Sequence, residues 1–461
     1  MRRIAAAIHR AGGRVLVVGG YVRDVMLGGA SRGDPDLEVF GLRLPALVRV
    51  LRRFGRVRRI GRAFPVLRVG NLPVEIALPR RESKTGPGHR GFDVAADPFM
   101  SFAEAASRRD LTLNAMGLDP LTGELLDPHD GASDLAAGVM RATDREKFPE
   151  DPLRALRVAA FASRFGFTAA SDLVRLCSEL DLSELSPERI AEELAKLLLA
   201  PEPSRGLRFL EAAGLLRFLP EIDALRSTPQ DPEWHPEGDV FTHTLMALDA
   251  AAPAAAELDE VTDRRVLMFA VLCHDFGKPR TTSRRRGRLR SFGHSEAGAA
   301  IAVRFLERLR MPRALTASVE ALTRHHLAPR TWVTHGAGAK AYRRLARKLH
   351  AAGTNLEMLL RVARADNLGR GTAIAASGRF PEGDRFRERA EALGVFRMPP
   401  ETAVRGRHVL ARRVPPGPQV GELIRLSREV QDETGETDPD RILDRVLEEA
   451  GLGSRRRSPG S

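Results

Sequence analysis

Two aspartates two positions apart, Asp34 and Asp36, stand just before the apolar run 37–40 (LEVF). In an extended chain residues i and i+2 point to the same face, so both carboxylates can grip the same divalent ions. Two ions held in this way suit phosphoryl transfer, activating an attacking 3′-hydroxyl and stabilising a leaving pyrophosphate. An Asp-x-Asp alone is a weak signal; its place ten residues after Asp24 makes it informative. Pro35 supplies no ladder donor, which predicts Asp34 at the very start of its strand. Upstream, Gly19-Gly20-Tyr21-Val22-Arg23-Asp24 follows the apolar run Arg14–Val18 and reads as a turn opening a helix. Glycines let backbone N–H groups approach a phosphate, the helix N-terminus favours its charge, and Arg23 adds a fork of donors. Glu75, in the run VEIAL, reads either as a third carboxylate or as an exposed strand residue.

A second set lies in the segment EDPLRALR, residues 150–157. Asp151 reads as an N-cap, with Pro152 at the first helical position. Asp151, Arg154 and Arg157 are spaced by three and share a helix face. The third set is rich in histidine. His243, the pair His274-Asp275 and Asp366 occur in that order, with His294 and His325-His326 between them and Lys278 just after the His-Asp pair. Imidazoles and carboxylates suit a divalent metal that lowers the pKa of a water for attack on a phosphate ester. Spacing does not choose between His325 and His326, nor between one metal and two.

The elements that must position these residues divide the chain. Strands are expected at Arg14–Val18, 37–40, 65–69 and 72–78, and helices from Tyr21 and over 44–54. The Gly- and Pro-rich stretch 79–91 (PRRESKTGPGHRG) reads as a mobile loop. From Asp151 the pattern is helical, with apolar residues at three- and four-residue steps. A Pro-rich break at 227–236 precedes a second helical block carrying most of the histidines. The expected divisions are 1–145, an α/β head; 146–226, a helical neck and body; 227–394, the histidine block; and 395–461, a helical tail whose last residues (RRRSPGS) are disordered.

Composition agrees with a multi-domain globular protein. The 461 residues are 43% hydrophobic and 29% charged, and the net charge is +13, carried almost wholly by Arg. That excess favours a polyanionic partner and is expected along the helical body. Two cysteines, Cys177 and Cys273, build no disulfide framework and read as core residues of a reducing compartment. The N-terminal run, broken by Arg and His, does not read as a signal peptide, and the apolar stretch 247–258 is too short to span a bilayer. A cytoplasmic location without membrane attachment is expected.

GGYVRD followed by DPDLEVF resembles the signature of class II tRNA nucleotidyltransferases and bacterial poly(A) polymerases. The resemblance continues through RRDLTLNAM, LLDPHDGASDLAAGVMRA and FPEDPLRALRVAAF. LPEIDAL, WHPEGDVFTHTLM and VLCHDFGK are similar to bacterial CCA-adding enzymes that carry an HD phosphohydrolase domain. The resemblance implies a polymerase-β-like α/β nucleotidyltransferase head with a small mixed sheet, then an all-α neck and body, an α-helical HD domain and a helical tail. It implies that Asp34 and Asp36 bind Mg²⁺ and carry catalysis, and that Gly20, Arg23, Arg109 and Asp110 serve the incoming nucleotide. Asp151, Arg154 and Arg157 would form a protein template reading the Watson–Crick edges of CTP and ATP. The HD metal set would be His243, His274, Asp275, His294, His326 and Asp366, holding Ni²⁺, Mn²⁺ or Mg²⁺.

The implied activity is addition and repair of the 3′-terminal CCA of tRNA, with phosphatase, 2′-nucleotidase and 2′,3′-cyclic phosphodiesterase activity in the HD domain. Within the family an intact loop at 80–92 favours CCA over CC addition. The segment 60–69 (IGRAFPVLRV) matches the poly(A) polymerase signature only in part. The alternatives are an A-adding enzyme or poly(A) polymerase, and a non-catalytic tRNA-binding protein.

Overall fold

The computed structural model describes residues 1–29, 34–60, 66–84 and 92–450, and it divides into two compact units, Met1–Pro220 and Glu221–Ser461. Besides a short parallel pair, Val139–Met140 with Thr168–Ala169, the strands described in the first unit are β1 (Arg14–Val18), β2 (Asp36–Phe40), β3 (Val57–Ile60), β4 (Val66–Val69), β5 (Glu75–Ala77), β6 (Arg80–Lys84), β7 (Phe92–Ala96), β8 (Gly117–Leu118) and β9 (Leu125–Leu126). Seven of them form one mixed sheet in the order β3-β4-β5-β2-β1-β8-β9. β1 and β2 run antiparallel with Val18 opposite Asp36, and β2 runs parallel to β5 with Asp36 opposite Glu75. The apolar residues Val15 to Val18, Leu37, Val39 and Ile76 are buried, so the sheet is fixed around the carboxylates by its own core.

Three expectations for this unit need correction. β2 begins at Asp36, so Asp34 and Pro35 precede the strand; the Pro35 carbonyl instead accepts from the Glu75 N–H at 3.3 Å. The stretch expected to be a loop from residue 79 is partly a ribbon, β6 paired antiparallel with β7 from Arg80 opposite Ala96 to Lys84 opposite Phe92. After Pro79, Gly and Pro recur only from residue 86, and the five residues 80–84 (RRESK) contain neither, which leaves their backbone free to pair. Residues 85–91 of that stretch, positions 61–65 of the segment 60–69, and the C-terminal 451–461 lie outside the described residues. The basic excess does not run along the helical body, where 146–226 contains 11 basic and 14 acidic residues.

Beside the sheet the helices α1 (Gly20–Met26), α2 (Leu153–Phe165), α3 (Pro187–Leu198) and α4 (Pro203–Ala212) complete what the site requires. α2 buries Ala155, Val158, Ala159 and Ala162, small residues that allow close helix packing.

The second unit is helical around α5 (Val240–Ala256), α6 (Val261–Cys273), α7 (His294–Arg308), α8 (Arg313–His325) and α9 (Leu356–Leu368). Contrary to expectation, the histidine block is not helical throughout: β10 (Thr282–Arg285) and β11 (Arg288–Ser291) form an antiparallel hairpin between α6 and α7. Its turn residues Arg286 and Gly287 both have positive φ, the signature of a two-residue hairpin turn that arginine-rich composition disguises. A small separate core of Val409, Leu423, Val430, Ile442, Leu443 and Val446 holds the C-terminal helices. Among the described residues no helix is long and apolar enough to cross a membrane.

Candidate active sites

In the first unit a cavity of about 1000 Å³ is lined by Gly19, Gly20, Arg23, Asp36, Arg109, Asp110, Asp151, Arg154 and Arg157, among others. Gly19 caps α1 at φ +75°, and a Cβ there would lie 2.9 Å from Arg109 Nη1 and 3.9 Å from Asp36 Oδ2. The glycine turn therefore lets a guanidinium and a catalytic-type carboxylate close on one point. Burial pushes the Asp36 carboxyl above the usual carboxylate range; Arg109 opposes this, while Glu75, Glu38 and Asp34 push in the same direction. Buried Glu38, two residues along the strand, accepts from Arg108 at 2.7 Å, yet its Oε2 has no hydrogen-bond partner. A surplus of carboxylate oxygen around one face is the donor chemistry of a hard divalent cation. Asp34 is exposed and does not line the cavity. Glu75 stands beside Asp36 in register and is paired with Arg68 at 3.0 Å.

The remaining polar residues form a fixed frame. Arg23 is buried, donates to Asn114 Oδ1 at 2.5 Å and to Asp24, and stacks on Phe161 and Phe165. Its position is that of a structural strut lining the cavity rather than a free fork. Asp110 accepts from the Leu111 N–H, Asn114 and Arg157, the last at 2.7 Å. Burial alone would raise its pKa, but Arg157, Asn114 and the Leu111 N–H outweigh it and hold it below the usual range. Asp110 thus orients Arg157. Arg154 donates to the carbonyls of Lys147 and Arg108 at 2.7 and 2.8 Å. α2 starts one residue later than the N-cap reading placed it, because Asp151 is extended and its carboxylate accepts from the Leu153 N–H at 3.2 Å. The other Asp151 oxygen accepts from Arg189 of α3 at 3.0 Å.

The second unit gathers four histidines and two aspartates from five elements. His243 sits in the first turn of α5, His274 caps α6 and is followed by Asp275, His294 opens α7, His326 ends α8, and Asp366 lies on α9. His243 and His274 approach Nε2 to Nε2 at 3.3 Å, and His294 and His326 do the same at 3.3 Å. The Nδ1 atoms of His274, His294 and His326 meet the carbonyls of Val271, Ser291 and Thr323, each at 2.7 Å, so the proton resides on Nδ1. The Nε2 lone pairs of His294 and His326 then face each other without a proton between them, an arrangement a metal satisfies and a hydrogen bond does not. Buried Asp275 stands between the two groups, His243–His274 on one side and His294–His326 on the other. Its Oδ2 lies 2.6 Å from Lys278 Nζ but makes no hydrogen bond of good geometry. These observations fit one or two divalent ions.

Burial, with His294 and His274 nearby, pushes His326 down to about 3, so it is a neutral ligand-type imidazole at pH 7. Burial would raise Asp275 and Asp366 too, but His274 and Lys278 outweigh it at the first and Arg370 and His243 at the second, holding both well below the usual range. His326 joins the cluster; His325 lines a separate groove with Trp332 and Lys348. Gly277 allows the close approach of this turn to α7, since a Cβ there would lie 2.0 Å from the His294 carbonyl oxygen.

Residues 15–141 match the family model described as "Poly A polymerase head domain", 172–225 the one described as "Probable RNA and SrmB- binding site of polymerase A", and 240–369 the HD domain. The relative named "Multifunctional CCA protein" from Halorhodospira halophila is 39% identical over 429 residues, covering 89% of this chain and 94% of the relative. The chain belongs to the multifunctional CCA protein family. A relative of the same name from Nitrosococcus oceani is 35% identical over 317 residues, 68% of this chain and 74% of that one. The Bacillus stearothermophilus CCA-adding enzyme in complex with CTP has the same fold, with TM-score 0.66 at 23% identity over 97% of this chain and 96% of that chain. The Thermotoga maritima CCA-adding enzyme complexed with tRNA gives a TM-score of 0.60 at 19% identity over 97% and 94%. A mixed-sheet head, a helical body and an HD domain are thus the fold of this CCA-family chain.

Sequence reasoning missed several residues of these sites. Glu38, Asn114 and Arg189 act through partners tens of residues away, which no local pattern reveals. Glu237 had a signal: an acidic residue six before His243 within WHPEGDVFTH. Its Oε1 meets Nδ1 of both His235 and His243, at 2.8 and 2.9 Å.

Proposed function

We propose that the chain adds and repairs the 3′-terminal CCA of tRNA from CTP and ATP in its first unit and hydrolyses phosphate esters in its second. The observation that carries the first reading is the convergence of the Gly19 turn, Asp36 and Arg109 on one cavity with the Asp151–Arg154–Arg157 face. Divalent ions, Mg²⁺ by this oxygen chemistry, held by Asp34 and Asp36 would acidify the tRNA 3′-hydroxyl and neutralise the leaving pyrophosphate. The α1 N-terminus at Gly20 and the Arg109 guanidinium receive triphosphate oxygens. Arg157, oriented by Asp110, offers donors to the base edge, and Asp151, held by Arg189, offers an acceptor. Arg154, anchored on two carbonyls, contributes its remaining N–H groups to the same edge. A rigid frame of this kind selects bases by leaving mismatched polar groups unpaired.

In the second unit Ni²⁺, Mn²⁺ or Mg²⁺ held by His243, His274, Asp275, His294, His326 and Asp366 would lower the pKa of an attacking water. Lys278, Arg330 and Arg370 line the adjoining cavity of about 510 Å³ and would hold the phosphate. Arg370 Nε is buried without a hydrogen-bond partner, a donor suited to a phosphate oxygen. The buried thiols accord with a cytoplasmic location. A poly(A) polymerase or A-adding enzyme is the second reading, and the family of its curated relatives favours CCA addition. The test separates the units: Asp36→Ala is expected to abolish CTP and ATP incorporation and to keep chelator-sensitive phosphate-ester hydrolysis, with His274→Ala giving the reverse. Incorporation by Asp36→Ala at the wild-type rate overturns the assignment.

A further inference from the structure

One edge of the head sheet is strongly basic. Residues 49–60 contain six arginines and no acidic residue. Arg52, Arg53, Arg56, Arg58 and Arg59 are exposed, and none of them pairs with an acidic side chain among the described residues. Part of this segment is β3, an outer strand of the sheet. Charge on an outer strand discourages pairing with other chains. That role asks only that charge be present, whereas here its placement across the sheet is specific.

Asp36 lies opposite Glu75. Leu67 lies opposite Ile76 in the antiparallel pair β4–β5, which sets Arg68 opposite Glu75, and Arg68 in turn lies opposite Arg58. Directly opposed residues share a face of the sheet. Asp36, Glu75, Arg68 and Arg58 therefore form one row, its charge running negative, negative, positive, positive toward the edge. With strands about 4.8 Å apart, the row spans about 14 Å from β2 to β3. Arg68 donates to Glu75 Oε1 through Nε, at 3.0 Å, and through Nη2, and keeps Nη1 for an anion. Arg59, the neighbour of Arg58, lies opposite Leu67 and belongs to the other face.

Phosphoryl transfer holds the attacking and leaving oxygens roughly in line, on opposite sides of the phosphorus. The triphosphate site proposed above, at Gly20 and Arg109, follows β1 and so lies on one flank of β2. The attacking 3′-hydroxyl then comes from the other flank, where β5, β4 and β3 stand in order. We infer that the RNA strand being extended enters the head from the β3 edge, with its 3′-hydroxyl beside Asp36 and Glu75 and its last phosphates on Arg68 and Arg58. The triphosphate is received on the β1 side, so the phosphates of the strand are the anions left for these two arginines. This rests on the nucleotidyl-transfer reading above and gives the path by which its second substrate reaches the site.

The test uses the full chain with Mg²⁺, CTP and a tRNA lacking CCA. Each single-strand phosphate neutralised contributes roughly 0.7 to the salt slope, about a fourfold effect at about 0.15 M salt. Arg58→Ser is therefore expected to raise KM for tRNA about fourfold and to lower the slope of log KM against log salt by about 0.7, with kcat and KM for CTP unchanged. Arg58→Lys should keep the slope. Arg59→Ser removes the same charge one residue away on the opposite face and should leave all of these values at wild type. Neutral methylphosphonates placed singly at the last three phosphates of the tRNA map the contact. At one of them wild type should lose about fourfold in KM, and Arg58→Ser should lose nothing further. Equal KM and slope in Arg58→Ser and Arg59→Ser, or methylphosphonate losses that add to that of Arg58→Ser at every position, overturn the inference and leave nucleotidyl transfer in place. Self-association of Arg58→Ser with its KM unchanged would mark Arg58 as an edge guard alone and overturns it too. No CTP incorporation by wild type overturns both readings.

Discussion

Replacing Gly19 by Ala tests the turn that brings the head site together. The backbone there has φ +75° and ψ −145°, a region that residues with a Cβ rarely adopt. Strain of this kind costs about 1–3 kcal/mol, offset by about 0.4–1 kcal/mol from the stiffer unfolded chain. A net loss of about 1–2 kcal/mol in urea unfolding of the first unit is therefore expected. The second effect is local: the new methyl would sit 2.9 Å from Arg109 Nη1 and must push that guanidinium away from Asp36. A displacement of an ångström at a reacting centre costs about a hundredfold in rate.

Gly12→Ala is the matched control, because Gly12 has φ +90° but nothing lies within 4 Å of the Cβ it would gain. Both variants should lose similar stability, and only Gly19→Ala should lose CTP incorporation, by about a hundredfold at saturating tRNA. If Gly19→Ala incorporates CTP at the rate of Gly12→Ala, the close approach of Arg109 has no catalytic meaning and the reasoning fails.

Glu237→Gln should weaken divalent-metal binding in the second unit by about ten- to a hundredfold, since Glu237 fixes the orientation of His243; titration calorimetry with Ni²⁺ reads this directly, and an unchanged affinity would remove Glu237 from the site. The cysteines give a pH test. Burial pushes the Cys177 thiol up to about 12, and burial with Glu221 nearby raises Cys273 well above the usual thiol range. The unfolded thiol loses its proton first, so the native state binds more protons between about pH 9 and 12 and stability must fall as pH rises through that window, while below about pH 9 this contribution is fully present. Urea unfolding at pH 8, 10 and 11 should show the decline, and rapid labelling of native protein by a thiol reagent at pH 8 would contradict it.

The fold class and the order of the sites were legible because each is carried by a short local motif. Asp36, the Gly19-Gly20 turn and the His274-Asp275 pair each sit at an element boundary, where turn and cap chemistry leaves a readable trace. Partnerships across the chain were not legible. Arg23 reads as a phosphate fork from its neighbours, yet Asn114, 91 residues away, and Asp24 occupy its donors. The role of Asp110 as the orienter of Arg157 depends on packing α2 against the RRD segment. The β10–β11 hairpin was hidden because arginine carries no strand signal, and only the positive φ at Arg286 and Gly287 makes the turn. The expectation of a basic helical body failed for a simpler reason: a chain-wide excess of charge says nothing of where the charge lies.

The central claim is that the head site builds a sequence of fixed length and order, and the direct test is nucleotide incorporation on three tRNAs: one lacking CCA, one ending in CC, and one with CCA complete. With labelled CTP and ATP together, the account predicts addition of C, C and A to the first, a single A to the second, and nothing to the third. Unlimited addition of A to any of them, or A-only addition to the second with no CTP used on the first, would contradict it.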